Sequence, residues 1–299
     1  MPHLNENFTR RAKLTDVGRW YVTRFVTEAA RRIPEGSRVL DAGAGECAYR
    51  DWFAHCSYVG VDLGVGEAAW NYTNLSMFAE LGSLSFQSAS FDAVVCTQVL
   101  EHVASPLEVL TEFRRVLKPG GTLFLSAPMA HPEHQAPYDF FRYTSFGLRA
   151  LCSQAGFSRI EIQPFGGMFV RWAYEAPRSL GMLSLWASRG GAVRRLARLL
   201  ALSLRPAVWV VQFAFLMLDG LDADKIDPFG WGMTAVRPVG DGSQPTDAEE
   251  VEAPALTGDA LSALNRAEES LRRGDWEGFG RGLEELRRIL GSQGSDPLP

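Results

Sequence analysis

Short apolar runs alternate with helix-like segments along the first half of this chain, and that alternation limits it to few folds. Five runs have the length and composition of buried strands: 38–41, 58–62, 75–79, 91–96 and 122–126. An amphipathic helix at 15–33 is predicted before them, and a crossover helix at 106–117. Such alternation predicts a parallel sheet with helices on both faces.

Two further strand-like stretches follow later in the chain. One is 159–163, after a predicted helix at 145–155, and the other is 233–237. The predicted fold is therefore α/β, with a Rossmann-like, seven-stranded, mostly parallel sheet. We expect the core at 1–165 and its last strand at 231–238.

The segment 166–230, between the last two predicted strands, has a composition of its own. From Gly166 to Leu218 it holds seven arginines and one acid, Glu175. Because Arg205-Pro206 would break one long helix, we expect two helices here. The longest apolar run, 207–218, has 12 residues, well short of the roughly 20 needed to span a bilayer.

Two roles fit this arginine-rich and aromatic insertion. A lid or homodimer patch that packs on the sheet is favoured. The alternative is peripheral membrane contact through 166–218, since arginines suit lipid headgroups and tryptophans suit the interface; the relevant residues are Arg171, Arg178, Arg189, Arg194, Arg195, Arg198, Arg205, Trp172, Trp186 and Trp209.

The end of the chain is acidic and polar. We expect a flexible linker at 239–257 and a helical hairpin at 258–292. Residues 241–299 hold 13 acids against 6 arginines, so they account for the net charge of −5, and the rest is about neutral. That balance predicts no nucleic-acid partner.

The cysteines and the N-terminus bear on the compartment. Four cysteines lie far apart without a C-x-x-C pair, and the first residues lack the apolar stretch of a signal peptide. We therefore expect a cytoplasmic protein, with possible peripheral contact at the inner face of the membrane.

A glycine-rich turn is expected after the first strand, within VLDAGAGE at 39–46, followed by a helix. Because glycine has no Cβ, the backbone there can approach a ligand closely. Gly43-x-Gly45-x-x-Ala48 also satisfies the relaxed dinucleotide pattern, and Asp62 ends the next strand about 20 residues later. An ordinary tight turn is a third interpretation, and the turn alone does not decide between them.

Four stretches, in this order and spacing, resemble class I methyltransferases of the Methyltransferase type 11 family: VLDAGAGE, YVGVD, LSFQSASFDAVVCTQVLEHV and RRVLKPGGTLFLSAP. The resemblance covers about 36–165. It implies methyl transfer from S-adenosylmethionine, most readily to an oxygen of a small molecule or a glycan precursor. The chain departs from the family pattern at Cys47, at Ser85 and in the short link between Asp62 and Leu75.

The resemblance also implies a set of cofactor contacts. Asp41, Gly43 and Gly45 would bind the methionine end of the cofactor, and Asp62 and Leu63 would bind its ribose. Glu80 and Leu81 would lie near the adenine. The residues after and in the fourth strand would line the pocket: Cys96, Thr97 and Gln98.

Two other function classes remain open beside methyl transfer. An NAD(P)-dependent oxidoreductase or epimerase is one, but Asp41 would repel a pyrophosphate and favour a cationic sulfonium, and no Tyr-x-x-x-Lys pair follows downstream. A non-catalytic, membrane-associated scaffold is the other; Asp41, Gly43, Gly45 and Asp62 argue against it, since an abandoned site does not need them.

Candidate catalytic residues lie in two stretches expected at the carboxyl ends of the strands: Glu101-His102 and the loop at 128–144. His102 is either a catalytic base or a residue that holds the backbone. His134 is a second candidate. Asp139 and Arg142 either pair, or cap the helix at Ser145, or grip a polar acceptor.

The same loop raises two further possibilities. His131, Glu133 and His134 suggest a metal, but two histidines three apart without a third clear ligand do not make a metal site, and none is predicted. The segment YDFFRYT at 138–144 resembles one in relatives associated with bacterial glycan assembly, which favours a glycan-type acceptor.

Overall fold

The computed structural model describes residues 16–66, 69–187 and 191–240, and scattered positions between 262 and 289. Its α-helices over 16–240 are α1 (Val17–Arg32), α2 (Pro106–Val116), α3 (Ser145–Gln154), α4 (Met168–Ala187) and α5 (Gly191–Leu218). Its strands are β1 (Arg38–Ala42), β2 (Ser57–Asp62), β3 (Met77–Phe78), β4 (Phe91–Thr97), β5 (Leu117–Pro128), β6 (Ser158–Pro164) and β7 (Gly230–Val236).

The seven strands form one sheet in the order β3-β2-β1-β4-β5-β7-β6. Neighbours from β3 to β5 pair in parallel, and β7 runs antiparallel to both β5 and β6. The predicted seven-stranded, mostly parallel, Rossmann-like sheet is confirmed. The order reverses between β1 and β4, which in open α/β sheets is where ligands bind.

Helices cover both faces of the sheet because successive strand residues point to opposite sides. On one face, Val39 and Phe124 pack with Phe25 and Val26 of α1. On the other face, Leu40, Val94 and Leu123 pack with residues of α2 and α3, among them Leu110, Phe113 and Leu148. This two-sided burial explains why the strands read as continuous apolar runs.

Local signals explain where the helices begin. Asp16 accepts a hydrogen bond from the Arg19 amide at 2.9 Å and caps α1. Pro106 lies in the first turn of α2, where its missing N–H costs nothing. Thr144 Oγ1 accepts from the Gly147 amide at 3.1 Å and caps α3.

The insertion forms two helices, as expected, but not for the expected reason. The boundary lies between Ala187 and Gly191, whereas Pro206 stays inside α5 and Pro177 inside α4. Proline removes one backbone hydrogen bond, and the pairing of the two helices keeps them continuous around that loss. Trp172 of α4 packs edge-on against Phe215 of α5, with ring centroids 5.4 Å apart.

The length argument against a membrane span is also corrected. Among the described residues, the stretch Leu199–Leu221 is long and apolar enough to cross a bilayer, by length and composition alone. The sequence-based prediction counted only unbroken apolar residues and so missed this stretch. Small residues and isolated polar residues interrupt such a run, but the helix as a whole remains apolar.

Residues 244–299 form a second compact unit, separate from Met1–Ser243. Its described residues at 262–270 and 278–289 are helical, and Arg266 pairs with Glu285 at 2.9 Å. The linker at 239–257 lies mostly outside the described residues, and the hairpin at 258–292 is described only in part, so both stay predictions.

Candidate active site

A cavity of about 1020 Å³ opens at the carboxyl ends of β1, β2 and β4. Its walls come from the turn after β1, the loop after β2, the segment after β4, the loop after β5 and the α4–α5 pair. The cavity therefore lies at the point where the strand order reverses, and a drug-sized ligand would fill it.

The turn after β1 is held by hydrogen bonds from its backbone amides to residues of β2. Gly43 and Gly45 have φ of +78° and +52°, and a Cβ at Gly43 would collide with the Val99 side chain. The amides of Gly43 and Ala44 both donate to the Val61 carbonyl at 2.9 Å, and the Gly45 amide donates to Asp62 Oδ2 at 2.9 Å. These three amides are therefore already satisfied.

The helix expected directly after this turn is absent. Residues 43–49 form turns, and a 3-10 helix follows at Arg50–Phe53. A dinucleotide site holds the pyrophosphate on free amides at a helix N-terminus. Here the amides of Gly43, Ala44 and Gly45 are already bonded, and no α-helix begins at the turn. The structure thus gives no support to the NAD(P)-dependent alternative.

Asp41 is a buried carboxyl at the end of β1. Tyr58 Oη donates to its Oδ2 at 2.6 Å. Burial, and to a smaller extent the nearby charge of Asp62, raise the pKa of Asp41 to about 6 against the lowering effect of the Tyr58 hydrogen bond. A cation bound beside Asp41 would be stabilised by its ionised form.

The other predicted cofactor residues mostly line this cavity. The set that does so is Asp41, Gly43, Gly45, Asp62, Leu63, Glu80, Leu81, Thr97 and Gln98. Cys96 does not: it is fully buried in the core cluster under α2 and α3. The physical reason is the alternation of side chains along β4, which turns Cys96 into the core.

Glu101 and His102 form a 3-10 turn after β4 and line the cavity. Burial raises the pKa of Glu101 to about 8, so its neutral form is favoured. Glu101 Oε2 and His102 Nε2 are buried and lack a hydrogen-bond partner within the described protein. His102 Nδ1 contacts the Tyr138 carbonyl, so the role of holding the backbone is present too.

Asp139 and Arg142 form a two-pronged ion pair. Arg142 Nη1 and Nη2 donate to the Asp139 carboxylate at 2.6 and 2.8 Å, and this holds the pKa of that carboxyl well below its usual range. The other guanidinium N–H groups donate to the carbonyls of His131, Pro132 and Phe141.

Neither residue of this pair lines the cavity, and Thr144 caps α3 in their place. Because the guanidinium donors are all engaged within the loop, Arg142 has none left for an acceptor. The pairing interpretation is the one the structure shows, and the pair holds the loop after β5 in shape.

His134 lies beside His102 in the cavity wall, with ring centroids 4.6 Å apart. Its Nδ1 lies 3.2 Å from the Pro132 carbonyl and 3.3 Å from Asp139 Oδ2, so the ring proton is favoured on that nitrogen. Burial, then the charges of His131 and His102, lower the pKa of His134. At neutral pH its Nε2 is therefore an unprotonated acceptor.

A family model described as a methyltransferase domain matches residues 40–125. These residues form a methyltransferase domain.

Two curated relatives each match about a third of the chain. The ubiquinone biosynthesis O-methyltransferase of Dechloromonas aromatica is 32% identical over 109 residues, which is 33% of this chain and 47% of that protein. The protein of the same name from Xanthomonas campestris is 37% identical over 109 residues, 33% of this chain and 46% of that protein. The chain thus spans about half the length of these relatives.

A solved structure of Haemonchus contortus phosphoethanolamine N-methyltransferase 2 with S-adenosyl-L-methionine overlaps with a TM-score of 0.44 and 17% identity. The overlap covers 78% of this chain and 59% of that one. At this TM-score, the likeness adds nothing to what the strand order already shows.

The cavity of the methyltransferase domain fits S-adenosylmethionine by charge. That cofactor carries an ammonium and a sulfonium. The cavity lining holds seven acids, among them Asp41, Glu46, Asp62 and Glu80, against two arginines, Arg19 and Arg178. Asp62 accepts from the amides of Gly45 and Gly64 at 2.9 and 2.7 Å, which fixes its carboxylate at the end of β2. The fixed carboxylates favour a cationic ligand over a phosphate.

The cavity also brings together a set of metal-type ligands that differs from the set considered from sequence. Ligand atoms of Glu101, His102 and His134 lie within 4.8 Å of one another. Glu133 is exposed. Among the described residues, the three grouped ligands could hold a divalent ion, and they join two loops that the sequence separates.

Several lining residues were not predicted. Trp70 lies in the loop after β2, and the Asn71 amide donates to Glu46 Oε1 at 2.9 Å, which ties that loop to the glycine turn. Tyr174, Arg178 and Gln212 reach the cavity from α4 and α5. No local pattern marks these residues, because only tertiary packing brings them to the cavity wall.

Proposed function

We propose that this protein transfers the methyl group of S-adenosylmethionine to a hydroxyl oxygen of a small molecule or a glycan precursor. One observation carries the proposal: the glycine turn has its amides satisfied internally and sets a buried carboxyl, Asp41, in the wall of the cavity. That arrangement suits a cationic cofactor better than a pyrophosphate.

When bound, S-adenosylmethionine supplies a methyl carbon on a positively charged sulfur. The acceptor oxygen forms a bond to that carbon as the carbon–sulfur bond breaks, in line, so alignment and exclusion of water are most of what the protein must provide. A hydroxyl acceptor must also lose its proton, and a positioned base speeds such a step by about a hundredfold or more.

We assign the base to His134. Its Nε2 takes the acceptor proton, while Asp139 holds the opposite edge of the ring and Arg142 holds Asp139. Asp139 and Arg142 are therefore positioning residues. His102 shares this wall, and neutral Glu101 lies behind it, with 3.8 Å between Glu101 Oε1 and His102 Nε2.

Three observations support the finer parts of the proposal. The relatives named O-methyltransferases support oxygen as the acceptor atom. Tyr138, in the segment that suggested a glycan-type acceptor, lines the cavity. The four cysteines are free, in keeping with the cytoplasm.

The test of the cofactor is isothermal titration of the protein with S-adenosylhomocysteine, NAD and NADP. We expect micromolar binding of S-adenosylhomocysteine alone, and its loss in Asp41→Asn, which keeps the size of the side chain. Asp51→Asn, an exposed site outside the cavity, is the matched control. Binding of NAD instead, or full affinity in Asp41→Asn, would overturn the proposal.

The test of the base is transfer of labelled methyl groups to a panel of phenolic and sugar hydroxyls. We expect His134→Asn to lower kcat about a hundredfold or more while S-adenosylhomocysteine affinity stays unchanged. His55→Asn, at a histidine outside the cavity, should retain activity. Equal activity in the two variants would remove His134 from the mechanism.

A further inference from the structure

Helix α5 is apolar and exposed to an extent unusual for a soluble protein. Only 6% of the apolar stretch Leu199–Leu221 is buried. Leu199, Val210 and Met217 are each at least 65% exposed, and Trp209 is 57% exposed. A helix that is apolar around most of its circumference is ordinarily covered by protein or by lipid.

One side of the α4–α5 pair is already covered. Gln212 is buried and lines the cavity, and Phe215 packs on Trp172. The base of the pair is closed by amides at the start of α4: Gly167 donates to Asp219 Oδ1 at 3.2 Å and Met168 to Asp222 Oδ2 at 2.7 Å. The exposed apolar side chains therefore lie on the parts of α5 that these contacts leave uncovered.

The charge of the insertion indicates what covers that face. From Gly166 to Leu218 the sequence holds seven arginines and one acid, and Arg195 and Arg205 are exposed on α5 itself. Cations beside exposed apolar side chains suit an anionic lipid surface. A second copy suits it less, since a symmetric interface would bring the same arginines face to face.

Crossing the bilayer fits less well than lying on it. Arg205 lies inside the apolar stretch, and a charge at the bilayer centre is costly. Both ends of the pair return to the sheet, so a spanning pair would also have to carry the arginines of 189–198 through the lipid. A helix that lies at the interface avoids this cost, because an arginine side chain such as that of exposed Arg205 can reach the headgroups.

We propose that the α4–α5 pair docks this protein on the surface of a bilayer that contains anionic phospholipid, with α5 at the lipid interface. The pair also contributes Tyr174, Arg178 and Gln212 to the cavity, so docking would bring the cavity close to the lipid surface. The surface is defined by exposed side chains and charge, and it does not depend on methyl transfer.

The experiment is flotation of the full-length protein with vesicles of phosphatidylcholine alone or mixed with phosphatidylglycerol. We expect binding to the mixed vesicles, and binding at least about tenfold weaker to the neutral ones or at high salt. Trp209→Glu with Val210→Glu should abolish binding. Phe146→Glu is the matched control, since Phe146 on α3 is 82% exposed and outside the insertion.

Circular dichroism and S-adenosylhomocysteine affinity should be unchanged in these variants, which separates failure of docking from failure of the cofactor site. Three results would overturn the proposal. They are absence of binding to mixed vesicles by the wild type, a concentration-dependent dimer dispersed by the double variant without any vesicle binding, and retention in membranes after alkaline extraction, which would indicate a span.

Discussion

Glu101 is a carboxyl whose burial controls its charge. It is 1% exposed, its Oε2 has no partner within the described protein, and burial raises its pKa from 4.5 to about 8. The folded protein therefore keeps a proton that the unfolded chain releases. The contribution of this protonation to the stability of the folded protein is complete below the unfolded pKa of 4.5. It is lost as the pH rises toward 8, because the buried carboxyl then has to ionise.

Replacing Glu101 with glutamine should remove that pH dependence. We expect the free energy of unfolding of Glu101→Gln, relative to wild type, to rise between about pH 5 and about pH 8, by up to a few kcal/mol. Urea unfolding at several pH values measures it. Glu35→Gln, at an exposed site, should follow the wild type, and parallel curves for all three proteins would contradict the prediction.

Asp41 should make cofactor binding depend on pH. Because its pKa is raised to about 6, Asp41 is ionised at pH 7.5 or so and neutral well below 6. The ammonium of S-adenosylhomocysteine favours the ionised form. We expect affinity to fall as pH drops through 6, by up to about tenfold per unit, and isothermal titration of wild type and Asp41→Asn measures this. A flat profile for wild type would refute the role of Asp41.

At the scale of elements, the turn after β1 requires glycine for two separable reasons. Gly43 and Gly120 have nearly the same φ, +78° and +80°. A Cβ at Gly43 would collide with Val99, whereas at Gly120 the nearest heavy atom, in Val239, would lie 3.5 Å away. Gly120 is therefore a matched control for the free-energy cost of the left-handed backbone without a side-chain clash.

Both alanine variants should lose about 1 kcal/mol from the left-handed backbone, and Gly43→Ala should lose about 1 to 3 kcal/mol more from the clash. Val99→Ala in the Gly43→Ala background should recover part of the extra loss. Urea unfolding provides the values. Equal losses at the two glycines would show that Val99 does not constrain the turn.

The elements were predicted best where a local pattern suffices. Apolar runs located all seven strands, although β3 has only two residues and β5 begins before the predicted run, at Leu117. The prediction of a helix directly after the glycine turn was wrong, because residues 43–49 form turns and the amides of Gly43, Ala44 and Gly45 bond to β2. Pro206 misled for a related reason, since the cost of one proline is offset by packing that no local window contains.

On the scale of the whole molecule, the cavity belongs to one unit. All its lining residues lie between Asp16 and Phe229, within the unit that ends at Ser243. A chain ending after Ser243 should therefore bind S-adenosylhomocysteine within about twofold of the full chain, by titration.

A chain ending after Phe229 is the matched negative control, since it lacks β7, which pairs with both β5 and β6. We expect it to be unfolded by circular dichroism. Loss of cofactor affinity in the longer truncation would show that 244–299 supports the site.

The sequence by itself determined the sheet, its helical layers and the cofactor end of the cavity. Those features depend on residues that are close together in the chain. The strands follow from short apolar runs, and the turn follows from Asp41, Gly43 and Gly45. Only the tertiary structure decided the acceptor side. It placed His134 beside His102 and paired Asp139 with Arg142 within the loop after β5. It also buried Cys96 in the core and placed α4 and α5 in the cavity wall. Such contacts join segments far apart in sequence, so they follow from strand order and packing, which no local pattern records.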